Sequence, residues 1–129
     1  MTKIAFIGFG EAAGLLTDGL AEAGAEVTAT YDILINDPAK AETHKQKAAS
    51  KGVIAAAEAQ QAVAGADIVI SAVTSKEILV AAKNVAPHLK AGQIYMDINS
   101  ASPEAKREAA MVIETSGADF VEAAVMDLV

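Results

Sequence analysis

The stretch Lys3-Ile4-Ala5-Phe6-Ile7-Gly8-Phe9-Gly10-Glu11-Ala12-Ala13-Gly14 decides the fold. Its first five residues are an apolar, partly β-branched run that reads as a strand. Two glycines follow at once, and a helix-like segment from Glu11 to Ala23 begins directly behind them. A strand, a glycine turn and a helix in this order are what a dinucleotide site needs. The first glycine makes the tight turn, and the second lets the backbone approach a pyrophosphate. The helix N-terminus offers unpaired N–H groups and a partial positive charge. Ala13 stands at the third position of the G-x-G-x-x-G/A pattern. Asp32, at the end of the next strand pattern, falls close to the ~20-residue offset of a ribose-binding acid.

Working outward, strand and helix patterns alternate along the chain. The expected strands are Lys3–Gly8, Glu26–Tyr31, Val53-Ile54, Asp67–Val73, Gln93–Asp97 and Ala118–Val121. Ile68-Val69-Ile70 is the continuous apolar run of a strand buried on both faces. In the first helix Leu15, Leu16 and Leu20 are expected on one face, with Gly24 as the stop. Gly14 and Gly19 cost helix propensity there, and close packing of helix on sheet is the expected compensation. Asp37-Pro38 caps and opens a polar helix that ends near Gly52 and should lie shallowly on the surface. Ala55–Ala64 reads as an alanine-rich helix with a poor start signal. Thr74-Ser75-Lys76-Glu77 fits a capping box that opens a helix to about Val85. Ser102-Pro103 caps a last helix that runs to Gly117. Alternation of this kind requires a parallel sheet covered on both faces, the α/β class.

Composition narrows the function classes. The 129 residues make one domain, and the 53% hydrophobic content excludes disorder. Aromatics are only 4%, so the core must be built from Ala, Val, Ile and Leu. The net charge of −7 argues against a nucleic-acid surface. An anionic cofactor must then be held by local dipoles and not by the global field. No apolar run is long enough to span a bilayer, and the first residues lack a signal-peptide layout. With no cysteine there are no disulfides and no thiolate chemistry, which suits a cytoplasmic protein. His44 and His88 lie in polar sequence without metal-ligand spacing, so both are expected at the surface and no metal is assigned.

The chain resembles the N-terminal domain of the β-hydroxyacid dehydrogenase family, which includes 3-hydroxyisobutyrate and 6-phosphogluconate dehydrogenases. Two segments carry the resemblance, KIAFIGFGEAAGLLTDGLAEAG and DINSASPEAKREAAMVIETSGADFVEAAVM. The second is closest to a 6-phosphogluconate dehydrogenase-like subgroup that reads D-x-N-S-x-S-P. The resemblance implies a doubly wound Rossmann sheet, strand order 3-2-1-4-5-6. It also implies a nicotinamide dinucleotide held by Gly8, Phe9, Gly10, Glu11, Ala12 and Ala13, with Val73 and Thr74 bordering it. Asn99 and Ser100 would face a small hydroxyacid or related carbonyl substrate. The family's catalytic lysine is implied on a helix beyond Val129, in an all-helical domain, so no catalytic residue is assigned among these 129.

Asp32 would accept hydrogen bonds from the adenine-ribose hydroxyls and repel a 2′-phosphate. No Arg or Lys follows it within several residues, which favours NAD over NADP. The stretch Ile33–Asn36 is unusually apolar for the family. A non-catalytic dinucleotide-binding or assembly module is the alternative reading. The sequence is apolar up to Val129, which leads us to expect an exposed apolar surface there and self-association into a homo-oligomer.

Overall fold

The computed structural model describes residues 2–9, 11–32, 37–99 and 102–123. Gly10, Ser100, the stretch 33–36 and the apolar segment 124–129 lie outside the described residues. Along the chain come β1 (Lys3–Ile7), α1 (Glu11–Glu22), β2 (Glu26–Tyr31), α2 (Pro38–Ser50), β3 (Ile54–Ala55) and α3 (Ala59–Val63). They are followed by β4 (Ile68–Ser71), α4 (Ile78–Val85), β5 (Ile94–Asp97), α5 (Pro103–Glu114) and β6 (Asp119–Glu122).

The described strands form one six-stranded sheet in the order β3-β2-β1-β4-β5-β6, and every neighbouring pair is parallel. This is the expected doubly wound α/β order, with β1 central. Strand periodicity explains its two cores. Ile4, Phe6 and Ile70 face one side, packed with Ala13 of α1 and Ala48 of α2. Ala5, Ile7, Val69 and Tyr95 face the other, under Val63, Ile78, Val85 and Ile113 from α3, α4 and α5. Because β1 and β4 alternate so strictly, helices must cover both faces.

Two caps form as their sequences require. The Asp37 carboxylate accepts from Ala39 N at 2.9 Å, and the Ser102 hydroxyl from Ala105 N at 3.2 Å.

Other expectations are corrected. Leu15 is 60% exposed, so the buried stripe of α1 runs through Ala13, Leu16, Thr17 and Leu20 instead. Close packing of α1 on the sheet is made by Ala13 and not by the glycines. A Cβ at Gly14 would meet only Lys51 Cε, at 3.9 Å, and one at Gly19 would meet nothing within 4 Å. The segment from Ala55 does not start a helix, because Ala56 N still donates to Thr30 O of β2 at 2.8 Å and keeps the chain extended. Thr74 forms no side-chain cap; residues Ser75–Glu77 wind as a 3-10 turn into α4. His44 is buried, not at the surface, because helical spacing turns it inward with Ala48. Its Nε2 has no hydrogen-bond partner among the described residues. His88 is half-buried. Among the described residues no group of His, Cys, Asp or Glu is arranged to hold a metal ion, and no helix is long and apolar enough to cross a membrane.

Candidate functional site

Parallel strands bring their C-terminal ends to one edge of the sheet, and helices begin there. Ligands of open α/β sheets bind at that edge, where the strand order reverses. Here the reversal lies between β1, which continues into β2, and β4. The residues at this point are Gly8 and Phe9 after β1, Asp32 after β2, and Ala72, Val73 and Thr74 after β4.

Gly8 has φ +84°, a region that other L-residues enter only under strain. A Cβ there would run into the Ala72 carbonyl oxygen and lie 2.9 Å from Val73 Cγ1. Glycine is therefore needed twice over, for the turn and for the approach of the β4 loop. Gly8 N donates to Tyr31 O at 2.7 Å, and Ala72 N to Ile7 O at 2.8 Å, so three strands are tied at the turn.

Phe9 turns its ring into the core, edge-on to Phe6 with centroids 6.0 Å apart. It presents its backbone to the site, and its N–H donates to Asp32 Oδ2 at 3.0 Å. Glu11 and Ala12 open α1 immediately beyond the turn, so the N-terminus of a 12-residue helix points into this edge. Ala13 is fully buried beneath it. Together these features set a helix N-terminus and an anchored carboxylate side by side at the ends of neighbouring strands.

Val73 is half-buried against the core, and Thr74 is exposed. The structure brings Asn99 to the same loop. Its Oδ1 accepts from Val73 N at 2.7 Å, its Nδ2 donates to Ser71 Oγ at 3.0 Å, and its own N donates to Asp97 Oδ1 at 2.7 Å. All expected residues within the described part thus gather at one edge. Asn99, however, spends its amide on the protein.

The sequence reading missed a buried polar chain beside Asn99. Asp97 and Ser71 are fully buried, and Lys106 is 8% exposed. Lys106 Nζ lies 3.2 Å from Glu122 Oε1 and 3.9 Å from Asp97 Oδ1. Burial holds the Asp97 carboxyl above the usual carboxylate range; the Asn99 N–H and the Lys106 charge oppose this, and Glu122 adds to it. Burial also pushes the Tyr95 hydroxyl up to about 12, and the Ser71 hydroxyl opposes the shift without a bond of regular geometry. One signal could have exposed Lys106. It occupies the apolar stripe of α5, three and seven residues before Ala109 and Ile113.

The sheet order, with a glycine turn ending its central strand, is that of Rossmann-like dinucleotide-binding domains. The family described as the NAD binding domain of 6-phosphogluconate dehydrogenase matches residues 3–126, and the chain belongs to it. No curated protein matches the sequence. A conserved hypothetical protein from Sinorhizobium meliloti 1021 is 39% identical with a TM-score of 0.86, over 98% of this chain and 43% of that one. The 3-hydroxyisobutyrate dehydrogenase of Mycobacterium tuberculosis is 29% identical with a TM-score of 0.81, over 96% of this chain and 40% of the enzyme. An imine reductase from Myxococcus stipitatus, solved in complex with NADP+, shares the fold at 24% identity and a TM-score of 0.70, over 98% of this chain and 41% of that one. The chain thus spans less than half the length of these structures.

Proposed function

We propose that this chain is the cofactor-holding part of an oxidoreductase acting on a β-hydroxyacid or a related carbonyl compound, and that it takes NAD in preference to NADP. One observation carries the reading. The Gly8 turn and the N-terminus of α1 stand beside Asp32, whose carboxylate is already anchored to the Phe9 N–H at 3.0 Å. The anchor fixes a negative charge at the end of β2, where an adenine ribose would lie. Two hydroxyls would be accepted there and a 2′-phosphate repelled.

The bound dinucleotide would supply the hydride acceptor, and the chain would supply binding and orientation. The diphosphate would lie over the turn at Gly8 and the first residues of α1, with the Val73–Thr74 loop on its other side. The hydroxyacid substrate is supported by family membership and by the likeness to the 3-hydroxyisobutyrate dehydrogenase. The lysine that the resemblance implies for proton transfer is not assigned among these 129 residues, so we expect cofactor binding by this chain without turnover.

Titration of NADH and NADPH, followed by nicotinamide fluorescence, tests the reading. Saturable NADH binding, weakened strongly by Gly10→Val, is the expected result. A side chain at Gly10 would occupy the space of the diphosphate. Binding of neither dinucleotide, or equal binding by a folded Gly10→Val variant, would refute it.

A further inference from the structure

We propose that Asn99 is a positioning residue for the cofactor: its side-chain carbonyl holds the Val73 backbone N–H and so fixes the β4 loop against the Gly8 turn. The inference rests on the reading of this edge as a dinucleotide site, and it gives Asn99 a task other than contact with substrate.

The geometry is closed on every side. Asn99 is 7% exposed. A backbone N–H can only donate, so the atom 2.7 Å from Val73 N must be the amide oxygen. That fixes the orientation of the amide. The NH2 group then faces Ser71 Oγ at 3.0 Å, the hydroxyl of the last residue of β4. Asn99 is itself held by its N–H on Asp97 Oδ1 at 2.7 Å, and Ile98 N donates to Ser71 O at 3.2 Å. One side chain therefore grips the end of β4 and the second residue beyond it.

The grip has a consequence at the turn. Ala72 and Val73 are the residues that a Cβ at Gly8 would strike, so they form the wall of the glycine turn. Ala72 is tied back to β1 through Ile7 O at 2.8 Å. Among the described residues Val73 N has Asn99 as its partner. Release of that bond frees the loop where it leaves the sheet, while β4 and its four neighbours in the ladder with β5 stay paired. A dinucleotide bordered by Val73 and Thr74 would then meet a loop that must be ordered on binding, and affinity would fall without loss of fold. Asparagine is suited to the position because it accepts and donates at once across a short reach. A serine is too short to span to Val73, and an alanine offers nothing.

The test uses the whole 129-residue chain with Asn99→Ala, Asn99→Asp and the core variant Val85→Ala. Val85, the fully buried last residue of α4, lies away from the C-terminal edge of the strands and serves as a control for lost stability alone. Two measurements are made on each: amide exchange at Val73 by NMR, and affinity for NADH and NADPH. In the parent the Val73 amide should be protected. In Asn99→Ala it should exchange about tenfold faster, with Val69 and Ile70 unchanged, and the dinucleotide should bind about fivefold to tenfold more weakly. Asn99→Asp keeps the accepting oxygen and should restore most of both. Val85→Ala should lower the unfolding midpoint and leave affinity unchanged. If Asn99→Ala does not fold, Asn99→Ser takes its place with the same expectations. A Val73 amide unprotected in the parent, or parent-like affinity in the folded Asn99 variant, overturns the proposal while the functional reading stands. A parent that binds neither dinucleotide overturns the functional reading and the proposal with it.

Discussion

The Asp32 carboxylate accepts the Phe9 backbone N–H at 3.0 Å, so the acid that would select the cofactor also pins the turn that would hold it. The two tasks can be separated by substitution. Asp32→Ala loses both the charge and the bond, and we expect NADH to bind about tenfold more weakly. Asp32→Asn keeps an oxygen for Phe9 N but carries no charge, so NADPH should gain relative to NADH while the turn stays formed. Parallel titrations of both dinucleotides check this, and a parent that prefers NADPH would reverse the assignment of Asp32.

Gly8→Ala is expected to cost stability before it costs binding. The positive φ alone contributes about 1–3 kcal/mol, and the collision with the Ala72 carbonyl adds to it. Denaturant unfolding should show the unfolding free energy falling by at least that amount. A stability equal to the parent's would mean that the β4 loop can move away freely.

Lys106 is the counter-charge of a buried carboxylate, and its removal should be felt. Lys106→Met leaves Asp97 without its cation in a fully buried position. We expect a loss of about 1–3 kcal/mol, below the usual figure for a broken buried pair, because the 3.2 Å contact is to Glu122, whose side chain is 61% exposed. Adding Asp97→Asn to Lys106→Met should recover part of the loss, and a double-mutant cycle measures the coupling. The pH dependence carries a sign. Asp97 is held above the carboxylate range, so the folded state binds its proton more tightly than the unfolded chain does. Its contribution is therefore present in acid and is lost as pH rises through the folded value. Comparison of Asp97→Asn with the parent across this range should show the parent falling more steeply.

Tyr95 governs the alkaline side. Its hydroxyl, ordinarily near 10, is pushed to about 12 by burial. The unfolded chain gives up that proton first, so stability falls as pH rises from about 10 to about 12, by roughly 2–3 kcal/mol in all. Tyr95→Phe keeps the ring stacked on Phe120, with centroids 6.1 Å apart, and should flatten the decline. An unchanged alkaline profile would show that the hydroxyl finds a partner in solution.

The strand order came with the family resemblance; the layers, the alternation of strand and helix and the glycine turn were determined by the sequence itself. Those features are local or periodic: Ile4 and Phe6 alternate with Ala5 and Ile7, Asp37 and Ser102 sit one residue before a proline, and Gly8 follows a strand and precedes a helix. Element ends were less legible, because they depend on pairing with distant residues. Thr30 O holds Ala56 in extended chain and delays α3, which no property of Ala55 announces. The partners of polar side chains were decided by tertiary structure alone. Asn99 lies 26 residues from Val73 and 28 from Ser71, and only the adjacency of β4 and β5 brings them within hydrogen-bond reach. Lys106 and His44 read as ordinary residues of polar helices, yet both are buried, because helical geometry and not polarity selects the face that meets the sheet. A chain can write its periodicity into neighbouring residues. It cannot write there which strand ends will share an edge, and at this edge the shared strand ends set the chemistry.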